Sequence, residues 1–387
     1  MRSPLKKLIH SIFPLGWPRN HRERLQAVRG NLWLHVFPAR VRTESLHPKA
    51  TLGLGLITFY LFVILCGSGL LLMMVYTPST ALAYRDMNDL AHVVSGGRFL
   101  RNVHRWSAHL MVLFCILHLV RVFCTGAYRK PREFNWVIGV ILLGLTLGLS
   151  FTGYLLPWDQ LSFWAITVSA NILDYVPLLG APLRRLLLGG EEVGQAALLR
   201  FYVLHVFALP TVTFLLIAVH VWRVRKDGGL ACSDPELHRE NNPETVSHVL
   251  TWPHLLLRLI LVLQATLIMV FFFSILWDAP LLEIANPAHP PNPSKAPWYF
   301  LGLQEMVAHS AFWGGFMIPT LLAVLLLILP YVDRNPKGAG IWFSRDRRFA
   351  LGLFAFCLFT LAILTVIGLW FRGPNWAWQW PWGGSGG

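Results

Sequence analysis

The chain has 387 residues, of which 55% are hydrophobic and only 13% are charged, and its formal net charge is +14. Its mean hydropathy is +0.52. Because an average soluble chain is about 25% charged, too few polar side chains remain here to cover a water-facing surface. The composition therefore excludes a disordered chain, a secreted disulfide scaffold and an ordinary cytosolic enzyme, and it leaves a polytopic membrane protein.

The basic residues and the cysteines exclude further classes. Lys and Arg cluster between apolar runs, as topology signals do, so we expect no nucleic-acid partner. The five cysteines form no CxxC or CxxCH motif, so the sequence indicates neither a zinc site nor a c-type haem attachment. The first 50 residues are polar and basic, so we expect no cleavable signal peptide.

Seven apolar runs are long enough to cross a bilayer as helices, which takes about 20 residues each. They are continuous rather than alternating, so they do not predict the strands of a membrane barrel. The predicted fold is an all-α polytopic membrane protein. The runs are Thr51–Tyr76, Trp106–Cys124, Trp136–Leu156, Phe201–Val221, Leu255–Trp277, Gly314–Tyr331 and Phe349–Phe371.

The distribution of Lys and Arg predicts the orientation. A cytoplasmic N-terminus places 24 of the 33 basic residues inside, so we expect the C-terminus on the outer side of the membrane. Long outer loops are then expected at about Pro157–Arg200 and Asp278–Trp313. The composition changes between the fourth and fifth runs, which predicts a boundary between two helical modules. With the two terminal segments and the connector, the chain then has five parts. They are a basic N-terminal segment (1–50), a four-helix core (51–226), a cytoplasmic connector (227–253), a three-helix module (254–372) and an external tail (373–387).

Four histidines lie in the second and fourth helices, where ionisable side chains are costly and usually functional. His104 and His118 are 14 residues apart, about 21 Å of helix rise, and share one face. His205 and His220 are 15 residues apart, which overshoots four turns by about 60° but keeps one side. The two helices run in the same direction, so His104 is level with His205, near the outer side. His118 is likewise level with His220, and two facing pairs predict two bis-imidazole haems with these axial iron ligands.

Glycines and arginines surround these histidines in the sequence. Glycines repeat the 14-residue spacing and would let a haem edge approach the backbone, although small-residue helix packing also explains them. Arginines at both membrane faces suit haem propionates, although positive-inside anchoring explains Arg121 equally well. His109 is rotated away from the other histidines, and we interpret it as a packing or hydrogen-bonded residue. The residues are Gly55, Gly69, Gly139 and Gly153, with Arg101, Arg105 and Arg121.

Five motifs in this order resemble cytochrome b of the Rieske/cytochrome b complexes. They are Arg101–Trp106, His118–Arg121, Lys130–Trp136, Gly153–Asp159 and Arg200–His205, and the resemblance covers roughly residues 45 to 372. The 15-residue spacing in the fourth helix and the seven-helix count resemble the chloroplast-type branch. There the protein is split into a four-helix and a three-helix chain, which look fused here.

The resemblance implies the activity of a quinol:cytochrome c oxidoreductase in a respiratory electron-transport chain that contributes to proton translocation. Its implied cofactors are two non-covalent b haems and a quinone, for which we favour menaquinone. Its implied partners are a Rieske iron–sulfur protein, a c-type cytochrome and a second copy of the complex. By motif position, the outer quinol site is lined on one side by Tyr154, Pro157 and Trp158 and on the other by Pro297, Trp298 and Tyr299. Arg223, Lys226 and Asp227 follow His220 and are expected near an inner quinone, where Asp and Lys would supply protons.

Two other functions remain open at this point. One is a haem b membrane anchor of a quinone-reactive dehydrogenase without a Rieske partner. It would share the two haems but has no need for the Pro-Trp-Tyr and Leu-Pro-Trp-Asp loops. The other is a transporter without a cofactor, whose histidines relay protons.

Two departures from the family pattern lead to specific expectations. The chloroplast-type branch attaches a third haem to a cysteine near the start of the first helix, but Gly53 stands there, so we expect no covalent haem. The family usually has an acidic residue second in Pro-Glu-Trp-Tyr, and Pro297 stands there instead. Glu305 is the nearest carboxylate downstream and is the expected acceptor of the second quinol proton, since a Rieske-cluster histidine could take the first, although a solvated or capping carboxylate also explains it. Glu283, His289 and Asp159 are the other candidates.

Overall fold

The computed structural model describes residues 18–30, 38–227, 247–335 and 337–382, and helices dominate them. Two short strands, β1 (Arg40–Arg42) and β2 (His248–Leu250), complete the described elements. The helices are α1 (His21–Gly30), α2 (Pro48–Thr51), α3 (Leu54–Met73), α4 (Ala83–His92), α5 (Gly97–Cys124), α6 (Glu133–Tyr154), α7 (Gln160–Leu173), α8 (Gly180–Leu188), α9 (Gln195–Lys226), α10 (Thr251–Leu276), α11 (Trp298–His309), α12 (Ala311–Val332) and α13 (Arg345–Trp370).

Seven of these helices are long and apolar enough to cross a membrane, which confirms the predicted fold for the described part of the chain. They are α3, α5, α6, α9, α10, α12 and α13. Large apolar side chains such as Phe356 and Phe359 are exposed along them, as contact with lipid tails requires. Helix α5 begins at Gly97 rather than at the predicted Trp106, so His104 lies well inside a continuous helix.

The three C-terminal spanning helices pack against the other four at two places. One buried cluster joins α3 and α5 to Val270 of α10, and it consists of Leu61, Phe62, Val103, Leu110, Met111 and Val270. A second cluster, built on Phe123, Tyr128 and Trp136, packs against Leu326 of α12 and Phe354 of α13. Between membrane helices such close packing supplies van der Waals attraction, since lipid tails remove most of the hydrophobic driving force.

Polar contacts join the same two parts at one end of the bundle. Strand β1 pairs antiparallel with β2, so the segment before the first spanning helix is bound to the segment before the fifth. Arg129 forms an ion pair with Asp333, and Arg347 donates to the backbone carbonyl of Phe123 at 2.7 Å. The predicted module boundary falls between these segments, and residues 228–246 of the connector lie outside the described residues.

At the opposite end, which we call the outer side, the two long loops pair with each other. The backbone N–H of Gln160 donates to the Glu283 carbonyl at 2.9 Å, and an antiparallel bridge joins Asp159 to Ile284. The Gln160 side chain donates to the His289 carbonyl at 3.0 Å. These bonds fix the loop after α6 against the loop before α11, the two segments that carry the predicted outer-site motifs.

Candidate haem-binding and quinol-binding sites

The four intramembrane histidines form two facing pairs. The ring centroids of His104 on α5 and His205 on α9 are 6.2 Å apart, and the ring planes are inclined by 77°. The rings of His118 and His220 are 6.4 Å apart at 83°. The structure thus brings together the residues that the sequence places at equal heights.

These separations fit an iron atom between each pair of rings. A metal–nitrogen bond of about 2 Å on each side, with each ring centre about 1 Å behind its nitrogen, separates the centres by about 6 Å. Within the described ranges, no three His, Cys, Asp or Glu side chains cluster to form a conventional metal site. The donor set therefore suits two bis-imidazole haems, held by His104 with His205 and by His118 with His220.

Hydroxyl groups set the tautomer of the outer pair. Ser68 Oγ lies 2.9 Å from His104 Nδ1 and donates its only hydrogen to the Ile64 carbonyl at 2.7 Å. The hydroxyl must therefore accept a hydrogen bond from Nδ1–H, which leaves Nε2 without a proton and free for iron. Thr152 Oγ1 lies 3.1 Å from His205 Nδ1 and donates its hydrogen to the Gly148 carbonyl at 2.9 Å, so it accepts from His205 Nδ1–H in the same way.

A local π-helical turn explains the unequal histidine spacing. Residues Leu204–Ala208 of α9 form a π turn that contains His205. Such a turn adds a residue without adding a full α-helical turn, so the 15-residue spacing on α9 can face the 14-residue spacing on α5. The predicted overshoot of about 60° is absorbed at the ligand itself.

Each predicted glycine lies directly against one histidine ring. A methyl group added at Gly153 would lie 2.4 Å from His205 Cε1, which is far inside van der Waals contact. The corresponding distances to the facing rings are 3.0 Å at Gly55, 3.2 Å at Gly69 and 3.5 Å at Gly139. The outer pair is thus closed tightly by Gly153, whereas Gly139 leaves room for a methyl group.

The predicted propionate arginines have protein partners of different kinds. Arg101 donates to the carbonyls of Ala279 and Pro280 at 2.6 and 2.7 Å. Arg121 is buried and donates to the Ala50 carbonyl, which also holds the N-terminal segment. Arg105 lies over the Tyr154 ring, 5.7 Å from its centroid.

The inner pair borders a group of buried polar atoms without hydrogen bonds. The backbone of Asn135 lies near His220, but His220 Nδ1 makes no well-formed hydrogen bond. Asn135 Oδ1, Arg223 Nε and Asp227 Oδ2 are also buried without a hydrogen-bond partner. Arg223 and Asp227 form an ion pair at 3.0 Å, while Lys226 Nζ lies 4.8 Å from the Trp222 ring centroid. Unpaired buried polar atoms are costly, so this group at the inner pair is a candidate position for a polar ligand.

The outer-site residues converge between the paired loops. A cavity of about 80 Å³ is lined by Arg105, Tyr154, Pro157, Asp159, Leu161, Pro280 and Leu282. On α11, Trp298 donates from Nε1 to His109 Nδ1 at 3.2 Å, and the Tyr299 ring lies 5.4 Å from that of His109. Burial raises the pKa of Tyr299 to about 12, so its hydroxyl stays protonated. Pro297 precedes Trp298 as the N-terminal cap of α11.

The Glu305 carboxylate already accepts hydrogen bonds from other side chains. Its carboxylate is buried and accepts from Arg372 Nε at 3.1 Å, from Arg372 Nη2 and from Trp376 Nε1 at 2.8 Å. Burial alone would raise the pKa of Glu305, but the hydrogen bonds from Arg372 and Trp376 outweigh it and hold the pKa below its ordinary value. A carboxylate bound in this way is a weak base, so the geometry disfavours the predicted proton acceptor. Asp159, unlike the exposed Glu283 and His289, lines the cavity.

Comparison with known proteins extends this geometry to a family. The model of the family described as cytochrome b/b6/petB matches residues 42–228. Cytochrome b6 of Synechococcus sp. (strain JA-3-3Ab) is 44% identical over 175 residues, which is 45% of this chain and 81% of that protein. The chain belongs to the cytochrome b/b6 family. Cytochrome b6 of Mesostigma viride is 43% identical and that of Tupiella akineta 42%, over the same shares of both chains.

A solved structure extends the similarity beyond the b6 region. A chain of a hyperthermophilic respiratory Complex III aligns with a TM-score of 0.75 and 25% identity, covering 94% of this chain and 90% of that one. With 94% of the chain covered, this alignment extends into the three C-terminal spanning helices, whereas the family model ends at residue 228. The chain is therefore a multi-pass membrane cytochrome b of electron transport, with the b-type haem and quinone interaction of its family.

Two contributors to the sites, Ser68 and Thr152, are not among the residues predicted from the sequence. Ser68 and Thr152 each precede a ring-facing glycine, so a hydroxyl before the 14-spaced glycines was the available signal. His109 was predicted to make a hydrogen bond, but its partner Trp298 lies 189 residues away and no local pattern connects the two.

Proposed function

We propose that the chain is the di-haem cytochrome b subunit of a quinol:cytochrome c oxidoreductase. The observation that carries this proposal is the pair of facing histidines at each of two heights, with ring separations of 6.2 and 6.4 Å. When bound, two b haems supply one-electron carriers at two depths of the membrane. His104 with His205 would hold one haem on the outer side, and His118 with His220 would hold the other on the inner side.

At the outer site this chain binds and orients quinol. The cavity beside Tyr154 and Pro157 is small, so quinol enters between the paired loops with Trp298 and Tyr299 on the α11 side. Trp298 is fixed by His109, which keeps α11 in register with α5. Asp159 lies at the cavity wall, where its carboxylate accepts hydrogen bonds from Ser162 and from the N–H of Leu282.

At the inner site the unpaired polar atoms near His220 receive quinone. Asp227 and Lys226 are placed to deliver protons to a reduced quinone, and Asp227 forms an ion pair with Arg223 at 3.0 Å. Gly55, Gly69, Gly139 and Gly153 admit the ring pairs, while Arg101, Arg105 and Arg121 lie at the faces where propionates would end.

The proposed partners are a Rieske iron–sulfur protein and a c-type cytochrome, in a dimeric complex of the bacterial plasma membrane. The likeness to a respiratory Complex III supports them, and menaquinone is the proposed quinone. Most Lys and Arg lie in segments that face the cytoplasm if the N-terminus is inside. The pairing of the two outer loops favours this function over a dehydrogenase anchor, which needs no outer quinol site.

The deciding experiment is quinol-driven reduction of cytochrome c by the purified assembly, with its subunits identified. We expect turnover with menaquinol, sensitivity to the loss of a Rieske subunit, and a b-type α-band after dithionite reduction. An assembly with the α-band but without a Rieske protein would support the dehydrogenase anchor instead. A preparation without the α-band would leave only a transporter.

A further inference from the structure

The segment after the last spanning helix folds back on itself at the outer side. An antiparallel bridge joins Arg372 to Trp378, and the N–H of Gln379 donates to the Phe371 carbonyl at 3.0 Å. Arg372 Cζ lies 5.6 Å from the centroid of the Trp378 ring. This short hairpin, residues 371–382, thus holds Arg372 in position through contacts within the hairpin itself.

Polar contacts tie the end of α13 and this hairpin to both sides of the Pro-Trp-Tyr motif. Before the motif, Asn292 Nδ2 donates to Asn375 Oδ1 at 2.8 Å, and Lys295 Nζ donates to the Leu369 carbonyl at 2.9 Å. After the motif, the Glu305 carboxylate accepts hydrogen bonds from the side chains of Arg372 and Trp376. The segment that carries Trp298 is therefore held at its start and at its end by one structural unit.

Close packing makes this attachment rigid. A methyl group added at Gly302 of α11 would lie 2.8 Å from Leu361 of α13, and one at Gly368 would lie 2.8 Å from Leu301. The two helices are thus in backbone-level contact. Removing one partner from a buried ion pair leaves an uncompensated charge, so Glu305 without Arg372 would displace α11 from this contact.

We propose that Arg372 is a positioning residue for the outer quinol site, which acts through Glu305 and α11 on Trp298 and Tyr299. This proposal rests on the proposed function, because it concerns the same quinol site. It also gives Glu305 a positioning role in place of proton uptake. The two roles differ in what they do to steady-state kinetics, since positioning acts on quinol binding and proton uptake acts on the pH dependence of turnover.

The test compares Arg372→Gln and Glu305→Gln in the purified complex, with Arg185→Gln as the matched control. Arg185 also forms an outer-side ion pair, with Glu191 at 2.9 Å, but its pair is exposed. We expect both test variants to raise the KM for quinol at least tenfold, with less than threefold change in kcat, an unshifted pH profile and both haems retained. Arg372→Lys should recover part of the affinity.

Two results would overturn the proposal. One is a normal KM in Arg372→Gln. The other is a Glu305→Gln variant whose kcat falls and whose pH profile shifts while Arg372→Gln stays normal, which would return Glu305 to proton uptake. If either variant fails to assemble, Asn292→Ala provides a milder change, for which we expect a two- to threefold rise in KM and for which an unchanged KM counts against the proposal.

Hydrogen–deuterium exchange separates this proposal from the proposed function. We expect Arg372→Gln to speed amide exchange in Trp298–His309 at least tenfold relative to Arg185→Gln, with exchange around His104 and His205 unchanged. That result would stand even if the complex showed no cytochrome c reduction, which would refute only the proposed function. Unchanged exchange in Trp298–His309 would refute the positioning role.

Discussion

The outer and inner histidine pairs share their geometry, with ring centroids 6.2 and 6.4 Å apart, but they differ in what surrounds the rings. In the outer pair, hydroxyls of Ser68 and Thr152 contact Nδ1 of both rings. In the inner pair, the residues before the facing glycines are Leu54 and Ile138, which have no hydroxyl. His220 Nδ1 is buried there without a well-formed hydrogen bond. One spacing rule thus produces a fully satisfied site and a site with polar groups left over.

This difference in hydrogen bonding suits the two histidine pairs to different roles. A hydrogen bond from Nδ1–H makes the imidazole a more basic ligand, which favours ferric over ferrous iron. We therefore expect a haem at the outer pair to have the lower midpoint potential of the two. The unpaired atoms of Asn135, Arg223 and Asp227 leave the inner site able to bind a further polar molecule.

The largest expected effect comes from the tightest glycine. Gly153→Ala puts a methyl group 2.4 Å from His205, and a ring bound to iron cannot move aside, so we expect most of the outer haem to be lost. Gly139→Ala, with 3.5 Å available, is the matched control and should keep the inner haem. Haem content per chain after purification measures both, and equal retention would remove the contrast between the two sites.

A smaller effect is expected at the inner site. Asp227→Asn removes the charge that pairs with Arg223 and the proposed proton donor, so oxidation of the inner haem by quinone should slow at least fivefold. Stopped-flow absorbance of the purified complex measures this rate. Asp174→Asn, in an outer ion pair with Arg184, is the control, and a normal rate in Asp227→Asn would argue against quinone at this position.

Loss of one outer hydroxyl should change a potential rather than occupancy. In Ser68→Ala we expect the outer haem midpoint to rise by a few tens of millivolts, since about 1 kcal/mol corresponds to about 40 mV for one electron. Ser274→Ala is the control, because this hydroxyl bonds only the Val270 carbonyl of its own helix. An unchanged midpoint in Ser68→Ala would mean that the hydroxyl does not tune the ligand.

The smallest expected effect is the absence of a haem-stained band. Gly53 offers no thiol for a thioether, and Cys66 lies further along α3, so we expect no covalent haem beside the inner pair. Haem staining of the denatured chain on a gel should show no band at its mass. A band there would add a third haem and change the account of the inner site.

The fold and the facing of the histidine pairs could be predicted because both depend on local periodicity. Continuous apolar runs predict spanning helices, and His104, His118, His205 and His220 stand at helical spacings on two helices that run in one direction. The π turn at Leu204–Ala208 could not be predicted, since it corrects a phase difference that only the assembled bundle creates.

Glu305 shows where sequence reasoning stopped. Its position two turns after Pro297 was predicted correctly as helical, and a free carboxylate was the natural interpretation of an acidic residue in an outer loop. Its partner Arg372 lies 67 residues away, beyond the last spanning helix. Only the packing of α11 on α13 brings them together, so no local pattern indicates that the carboxylate is already hydrogen-bonded.

The measurement that tests the central claim most directly is a redox titration of the purified chain, with haem quantified by its pyridine haemochrome. We predict two non-covalent b haems per chain and two resolved midpoint potentials. The lower-potential component should disappear in His205→Ala and the higher in His220→Ala. A single haem per chain, or one ligand variant that removes both components equally, would contradict two separate bis-histidine sites.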